Sequence, residues 1–315
     1  MSGDIQTVSL SVIIPVTERF DDPKALYQDY KQTLSSLGLS FEIIYVLDGS
    51  FPTVQNALLE LKQQGESIKI IKLAKWFGEA AALTIGFENS RGQQILTLPA
   101  YYQIEATEIP NIIKTLATYD LVVARRWPRL DSLINRIQSG VFHRLLNVIT
   151  KSHFHDLGCG VRAFKRKVMD ELNIYGDQHR FFSLLAYQKG FKVHELNVKQ
   201  ASQDMSTRVY RPGVYLRRVL DLLTVFFLVK FTKKPLRFFG LVGTLMFAFG
   251  LTITLYLIVE RLFISIPLAD RPALLLSSLL IVLGIQIFAI GLIGEIIIFT
   301  HAREIKEYTV EEIIN

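Results

Sequence analysis

Residues 9–16 read SLSVIIPV and residues 41–50 read FEIIYVLDGS. Each is a short apolar run, rich in β-branched residues and followed by turn formers. Runs of that length and composition are buried strands. Between them, residues 22–37 carry a helical pattern, opened by Asp22 and Pro23 at the cap and first helical positions. The same alternation continues along the chain. Residues 53–64 are helical, SIKIIKLA (67–74) is a third strand and residues 78–89 are helical again. QQILTLPA (93–100) is a fourth strand, and a helix near 106–118 leads to DLVVARR (120–126), a fifth. Strand–helix alternation of this kind predicts an α/β domain with a mostly parallel sheet and helices on both faces.

Ligands of such sheets bind beyond the carboxyl ends of the strands. The residues there are Thr17, Glu18 and Arg19, then Asp48, Gly49 and Ser50, then Lys75 to Gly78, Pro99 to Gln103, and Arg125 with Arg126. Turn glycines, a carboxylate, aromatics and arginines are thus gathered at one edge. No GxxxxGK[ST] or GxGxxG pattern occurs, which counts against P-loop and dinucleotide-binding proteins. Trp76 and Phe77 read as core packing, with a nucleobase platform as the alternative.

The chain has 315 residues, half of them hydrophobic, and a mean hydropathy of +0.29. That excess is local. Leu236 to Val259 and Ala273 to Phe299 are two apolar runs, each long enough to cross a bilayer core of about 30 Å as a helix. Both are apolar on every face, unlike the helices of a soluble core. Lys230, Lys233, Lys234 and Arg237 precede the first run, and His301, Arg303 and Lys306 follow the second. The positive-inside bias places both ends in the cytoplasm and the loop from Glu260 to Pro272 outside. Glu295 reads as snorkelling to the interface, with a helix–helix contact or a lipid-phosphate site as alternatives. No signal sequence is apparent in MSGDIQTVSL. Cys159 is the single cysteine, read as a small buried residue.

Net charge is +6, with eight Lys/Arg against Asp221 between Arg208 and Arg237. Beside an apolar span, such a cluster suits anionic head groups or a lipid phosphate rather than nucleic acid. VLDLLTVFFLVKF (219–231) reads as an interfacial helix. The expected organisation is a domain over 1–207, a basic juxtamembrane segment over 208–235, two spans over 236–299 and a tail over 300–315.

These motifs resemble those of a known family. SVIIPVTE is similar to the opening of family 2 glycosyltransferases, VLDGS to their VDDGS, and KWFGEAAALTIGF to their N-x-G-x-x-x-A-x-x-x-G segment. The block from His155 to Leu196 resembles the HDxGCGxRAxRR…YGxxHRF block of polyprenyl-phosphate glycosyltransferases, relatives of dolichol-phosphate mannose synthase with GtrB-like members. The resemblance implies a GT-A fold and transfer of a hexose from a UDP- or GDP-linked sugar to polyprenyl phosphate at the cytoplasmic face. A non-catalytic relative, acting as a membrane adaptor or a lipid- or nucleotide-binding subunit, is the alternative. The bilayer and a homo-oligomer are the further implied partners.

Residue by residue, the resemblance implies donor contacts from Pro15, Thr17, Glu18, Asp48, Lys75, Gly78, Gln103 and Arg126. It implies catalytic roles for Asp156, as an acid–base or orienting group, and for Arg162. His179, Arg180, Arg208 and Arg211 would meet the acceptor phosphate. The family holds Mg or Mn with a D-x-D motif, but the matching positions here are Pro99 and Tyr101, so no metal ligands are assigned. Two ways of managing without that motif stay open. Arg125, Arg126 and Lys75 would act as fixed charges, or Glu105 and Glu108 would form a displaced metal site. A solvated first helical turn is the plainer account of those glutamates.

Overall fold

The computed structural model describes residues 8–129, 140, 144, 153–172, 182–204, 235–264 and 271–301. The chain divides into two compact units, one built on a sheet and one on two long helices.

The expected strands and helices form in the first unit. They are β1 (Leu10–Val16), α1 (Pro23–Ser35), β2 (Phe41–Leu47), α2 (Pro52–Gln63), β3 (Ile68–Lys72), α3 (Glu79–Glu88), β4 (Gln94–Thr97), α4 (Ile109–Leu116) and β5 (Leu121–Arg126). Asp22 caps α1 by accepting the Lys24 backbone N–H at 3.0 Å, with Pro23 opening the helix. Beyond those five strands come β6 (Arg162–Lys165), α5 (Arg166–Glu171), α6 (Phe182–Gln188) and β7 (Val193–Val198).

The strand order is β3-β2-β1-β4-β6-β5-β7. The pairs β3–β2, β2–β1, β1–β4 and β5–β7 are parallel, while β6 runs antiparallel between β4 and β5. The sheet is therefore mixed: β4 and β5 are separated by β6. Thr97 at the end of β4 faces Arg162 at the start of β6. That reversal brings the loop before β6 to the carboxyl ends of β1 and β4. Pro15 fits inside β1 because Ile13 and Val16 carbonyls accept from Leu98 and Asp48 on opposite sides. Residue 15 then faces the β4 side, beyond the last paired residue Ile13, where no ladder bond is lost.

One apolar cluster gathers Val12, Ile14, Tyr45, Leu58, Leu96 and Ile112 under α1, α2 and α4. The other gathers Ile13, Ile44, Ile95, Phe164 and Phe182 under α3, α5 and α6. Consecutive β1 residues fall in different clusters, as the two-residue period of a strand requires.

In the second unit, α7 (Pro235–Ile264) and α8 (Pro272–His301) are long and apolar enough to cross a membrane. They are not core helices, since 17% and 11% of their most apolar windows are buried. A Cβ on Gly243 would lie 2.6 Å from the Gly284 carbonyl oxygen, and one on Gly284 would lie 2.6 Å from the Phe247 nitrogen. The two backbones therefore touch at that level, as small residues permit in apolar surroundings. Snorkelling of Glu295 is corrected: Oε2 accepts the Leu236 backbone N–H at 3.3 Å, satisfying a free donor at the start of α7. At the opposite end, Arg271 donates to Glu260 at 2.5 Å.

Gly92 packs directly against the β1 backbone. A Cβ there would lie 2.5 Å from the Ser11 nitrogen, and its N–H donates to Ser11 Oγ at 2.8 Å. Gly92→Ala should cost about 1–3 kcal/mol, as overpacking against backbone does. A fall of several degrees in thermal unfolding, monitored in detergent, checks this.

Candidate functional site

At the end of β2, Asp48 is buried and Gly49 takes φ 114°. Asp48 Oδ1 accepts the Phe77 N–H and Oδ2 the Gly78 N–H, both at 2.8 Å. The carboxylate thereby fastens the loop after β3 to the end of β2. Gly78, with φ 100°, starts α3. This pinned loop pushes Trp76 and Phe77 outward, 64% and 54% exposed. Core packing of those rings is thus corrected, because the two bonds to Asp48 turn the loop away from the sheet. Lys75 Nζ lies 5.3 Å from the Phe77 ring centroid.

A second cluster forms where β1, β4, β5 and β6 meet. Arg126, the last residue of β5, is buried. Its Nε and Nη2 donate to the two oxygens of Asp156 at 2.8 and 3.0 Å. Its Nη1 donates to Asp204 at 3.2 Å. Asp204 Oδ2 also accepts from Gln200 Nε2 at 2.8 Å, and Oδ1 from Arg19 Nη1 at 2.8 Å. The Arg19 guanidinium stacks 3.9 Å from the Tyr101 ring centroid. Tyr101 Oη accepts from Gln103 Nε2, and Gln103 Oε1 accepts the Gly160 N–H at 2.8 Å. Five chain segments are tied here: the ends of β1, β4 and β5, the 153–160 loop, and the 3₁₀ turn Ser202–Asp204.

Burial alone would push the Asp156 carboxyl up, but the Arg126 guanidinium outweighs it and holds the group below the usual carboxylate range. Burial disfavours the charged Arg126, yet the hydrogen bonds and charge of Asp156 hold it well above its ordinary value. The pair is fully ionised at neutral pH. Burial pushes the Cys159 thiol to about 12, so it is a packed residue, as expected, and no thiolate nucleophile.

Arg162 is buried beside a small apolar cavity lined by Ile13, Leu83, Phe87, Phe164 and Phe182. Burial lowers its pKa. It occupies the α3 face of the sheet, and its Nη2 donates to the Leu157 carbonyl at 3.4 Å. Arg125 does not join Arg126. It alternates to the other face of β5 and packs 5.0 Å from the Trp127 ring. Thr17 and Glu18 stand at the end of β1, Glu18 exposed. His179, Arg180, Arg208 and Arg211, like the segment 219–231, lie outside the described residues. Asp204 and Gln200 escaped the sequence reading. Their signal was a polar pair just past β7, at the same edge as Asp156.

A divalent cation such as Mg needs a shell of oxygen ligands. Pro99 and Ala100 offer no side-chain oxygen, and burial pushes the Tyr101 phenol well up, so it stays protonated. Asp156 and Asp204 are engaged by guanidinium groups, Asp48 by two backbone N–H groups, and Asp21 by the Tyr102 N–H at 2.9 Å. Among the described residues no group of three His, Cys, Asp or Glu could hold a metal. The displaced site at Glu105 and Glu108 is corrected as well. Lys199 Nζ pairs with Glu105 at 2.7 Å, and the Lys199 N–H donates to Glu108 at 3.4 Å. The donor set present does not fit a hard cation.

Comparison with known proteins agrees with this architecture. A dodecaprenyl-phosphate galacturonate synthase of Rhizobium johnstonii is 26% identical, covering 95% of this chain and 90% of its own length. An undecaprenyl-phosphate 4-deoxy-4-formamido-L-arabinose transferase of Photorhabdus laumondii is 29% identical, covering 98% and 95%. The glucosyl-3-phosphoglycerate synthase of Mycobacterium tuberculosis, solved with Mg2+ and uridine diphosphate, shares the fold. Its TM-score is 0.51 at 15% identity, covering 69% of this chain and 79% of that one. The model of glycosyl transferase family 2 matches residues 11–172, from β1 through α5. With the β1–β5 core, the reversed β6 and the polar edge all within or beside that stretch, the chain belongs to glycosyl transferase family 2.

Proposed function

We propose that this protein transfers a hexose from a UDP- or GDP-linked sugar to polyprenyl phosphate at the cytoplasmic face of a membrane, with both chain ends on that side. The supporting observation is one of joint coverage. Relatives named as polyprenyl-phosphate synthases or transferases match both the sheet unit and the two long apolar helices. The proposed organisation is a catalytic domain over 1–207, a basic juxtamembrane segment over 208–235, two spans over 236–299 and a tail over 300–315.

In the reaction, a lipid-phosphate oxygen forms a bond to the anomeric carbon. The bond from that carbon to the nucleoside diphosphate breaks, and its electron pair leaves with the diphosphate. A phosphate monoester is largely dianionic at pH 7, so the nucleophile needs placing more than deprotonating. That suits the geometry of Asp156. With both oxygens on Arg126, it serves better to orient Arg126 and the 153–160 loop than to accept a proton. Trp76 and Phe77, exposed beside the pinned Gly78, offer stacking surfaces for a nucleobase. Pro15, Thr17, Glu18, Lys75 and Gly78 border that space at the ends of β1 and β3. Asp48 and Gln103 shape it from behind, through the bonds that hold residues 77–78 and 160. His179, Arg180, Arg208 and Arg211 are proposed for the acceptor phosphate.

Detergent-purified protein, given a panel of UDP- and GDP-sugars with undecaprenyl phosphate, should form a glycolipid detectable by mass spectrometry. Absence of product across the panel, with nucleotide binding retained, would favour the adaptor reading. Arg126→Ala should remove about 3–5 kcal/mol of stability by leaving Asp156 and Asp204 buried without their shared cation. Adding Asp156→Asn should recover part of that loss in thermal unfolding.

A further inference from the structure

We infer that Arg19 supplies the cationic charge at the donor diphosphate, in the place a divalent cation holds in related folds. The inference rests on the donor reading above. Its first support is the donor set at the end of β4. Position 101, where the resemblance puts a metal-binding aspartate, carries Tyr101, and the guanidinium of Arg19 lies 3.9 Å over its ring. A cation thus sits against this position, held by a ring face instead of by carboxylate oxygens. Its second support is charge. Asp156 and Asp204 face Arg126, Arg19 and, at 4.0 Å from Asp156, Arg129, so three guanidinium groups meet two carboxylates and an incoming Mg2+ finds no uncompensated one.

The third support is geometric. Arg126 is spent on the two aspartates, whereas Arg19 makes one hydrogen bond among the described residues, Nη1 to Asp204. Its side chain is 28% exposed, directly after β1, where ligands of parallel sheets bind. The Nε and Nη2 N–H groups remain to meet diphosphate oxygens. Asp204 and the Tyr101 face fix the guanidinium beforehand, so little side-chain entropy is lost on binding. This replaces the expectation that Arg125, Arg126 and Lys75 act as the fixed charges.

Calorimetry with UDP and GDP, in excess EDTA and again with Mn2+, tests this on the unmodified protein. The expected result is binding in EDTA that Mn2+ does not strengthen. Arg19→Gln should weaken it on the order of tenfold or more, the scale of a charge-assisted hydrogen bond, with Arg19→Lys recovering part. Binding that requires Mn2+, or that survives Arg19→Gln unchanged, overturns the inference and leaves the proposed transfer standing. Failure of both nucleotides under both conditions overturns the donor reading and this inference with it.

Discussion

The guanidinium of Arg126 is buried, and two carboxylates answer it. Removing an ion from water is costly, and only well-formed partners offset the cost. Asp156 supplies a two-pronged contact to Nε and Nη2, and Asp204 takes the third nitrogen. Those partners come from segments far apart in the chain. The loop holding Asp156 must return to the sheet before β6, and the turn holding Asp204 must follow β7. The reversal of β6 between β4 and β5 makes the first return short. Parallel pairing of β7 with β5 sets Val198 beside Arg126, which makes the second short too. The polar edge is thus organised around one buried charge, and the outward surface of the site inherits its shape.

Much of this was legible in the chain. The first five strands are apolar runs ended by turn formers, so periodicity and punctuation agree on them. The two long helices are unambiguous because no face of either is polar. The strands β6 and β7 were hidden for a physical reason. RAFK is four residues long, with a charge at each end, and VHELNV is half-buried along most of its length. Neither has the apolar run that marks a central strand: β6 is held by pairing on both sides, and β7 is an edge strand paired with β5 alone. Trp76 and Phe77 misled for the opposite reason. Large aromatics after a strand read as core, and only the paired hydrogen bonds to Asp48 reveal that the loop is turned outward.

Site residues divide along the same line. Asp156 and Gln103 stood out by their motifs and Arg126 by its place at the end of a strand, but position says nothing of who neutralises whom. Arg125 and Arg126 are adjacent in sequence and look like a pair of fixed cations. A strand sends adjacent side chains to opposite faces, so only Arg126 reaches the aspartates. Asp204 carries no motif at all. Its role is defined by three partners, from positions 19, 126 and 200, that sequence separation conceals.

A site built this way manages charge differently from one built on a metal. A divalent cation is a movable charge whose ligands must stay free and anionic until it arrives. Here the carboxylates are already engaged, and the positive groups are covalently part of the chain. The inner guanidinium is locked by both aspartates and acts on shape. The outer one, Arg19, shares only Asp204 and rests on Tyr101, so it keeps donors facing the open edge. A site without carboxylates at positions 99 and 101 therefore still carries fixed charge. Its partly exposed cation is Arg19, at the end of β1, the edge of a parallel sheet where ligands bind, and the proposed diphosphate contact rests on that placement.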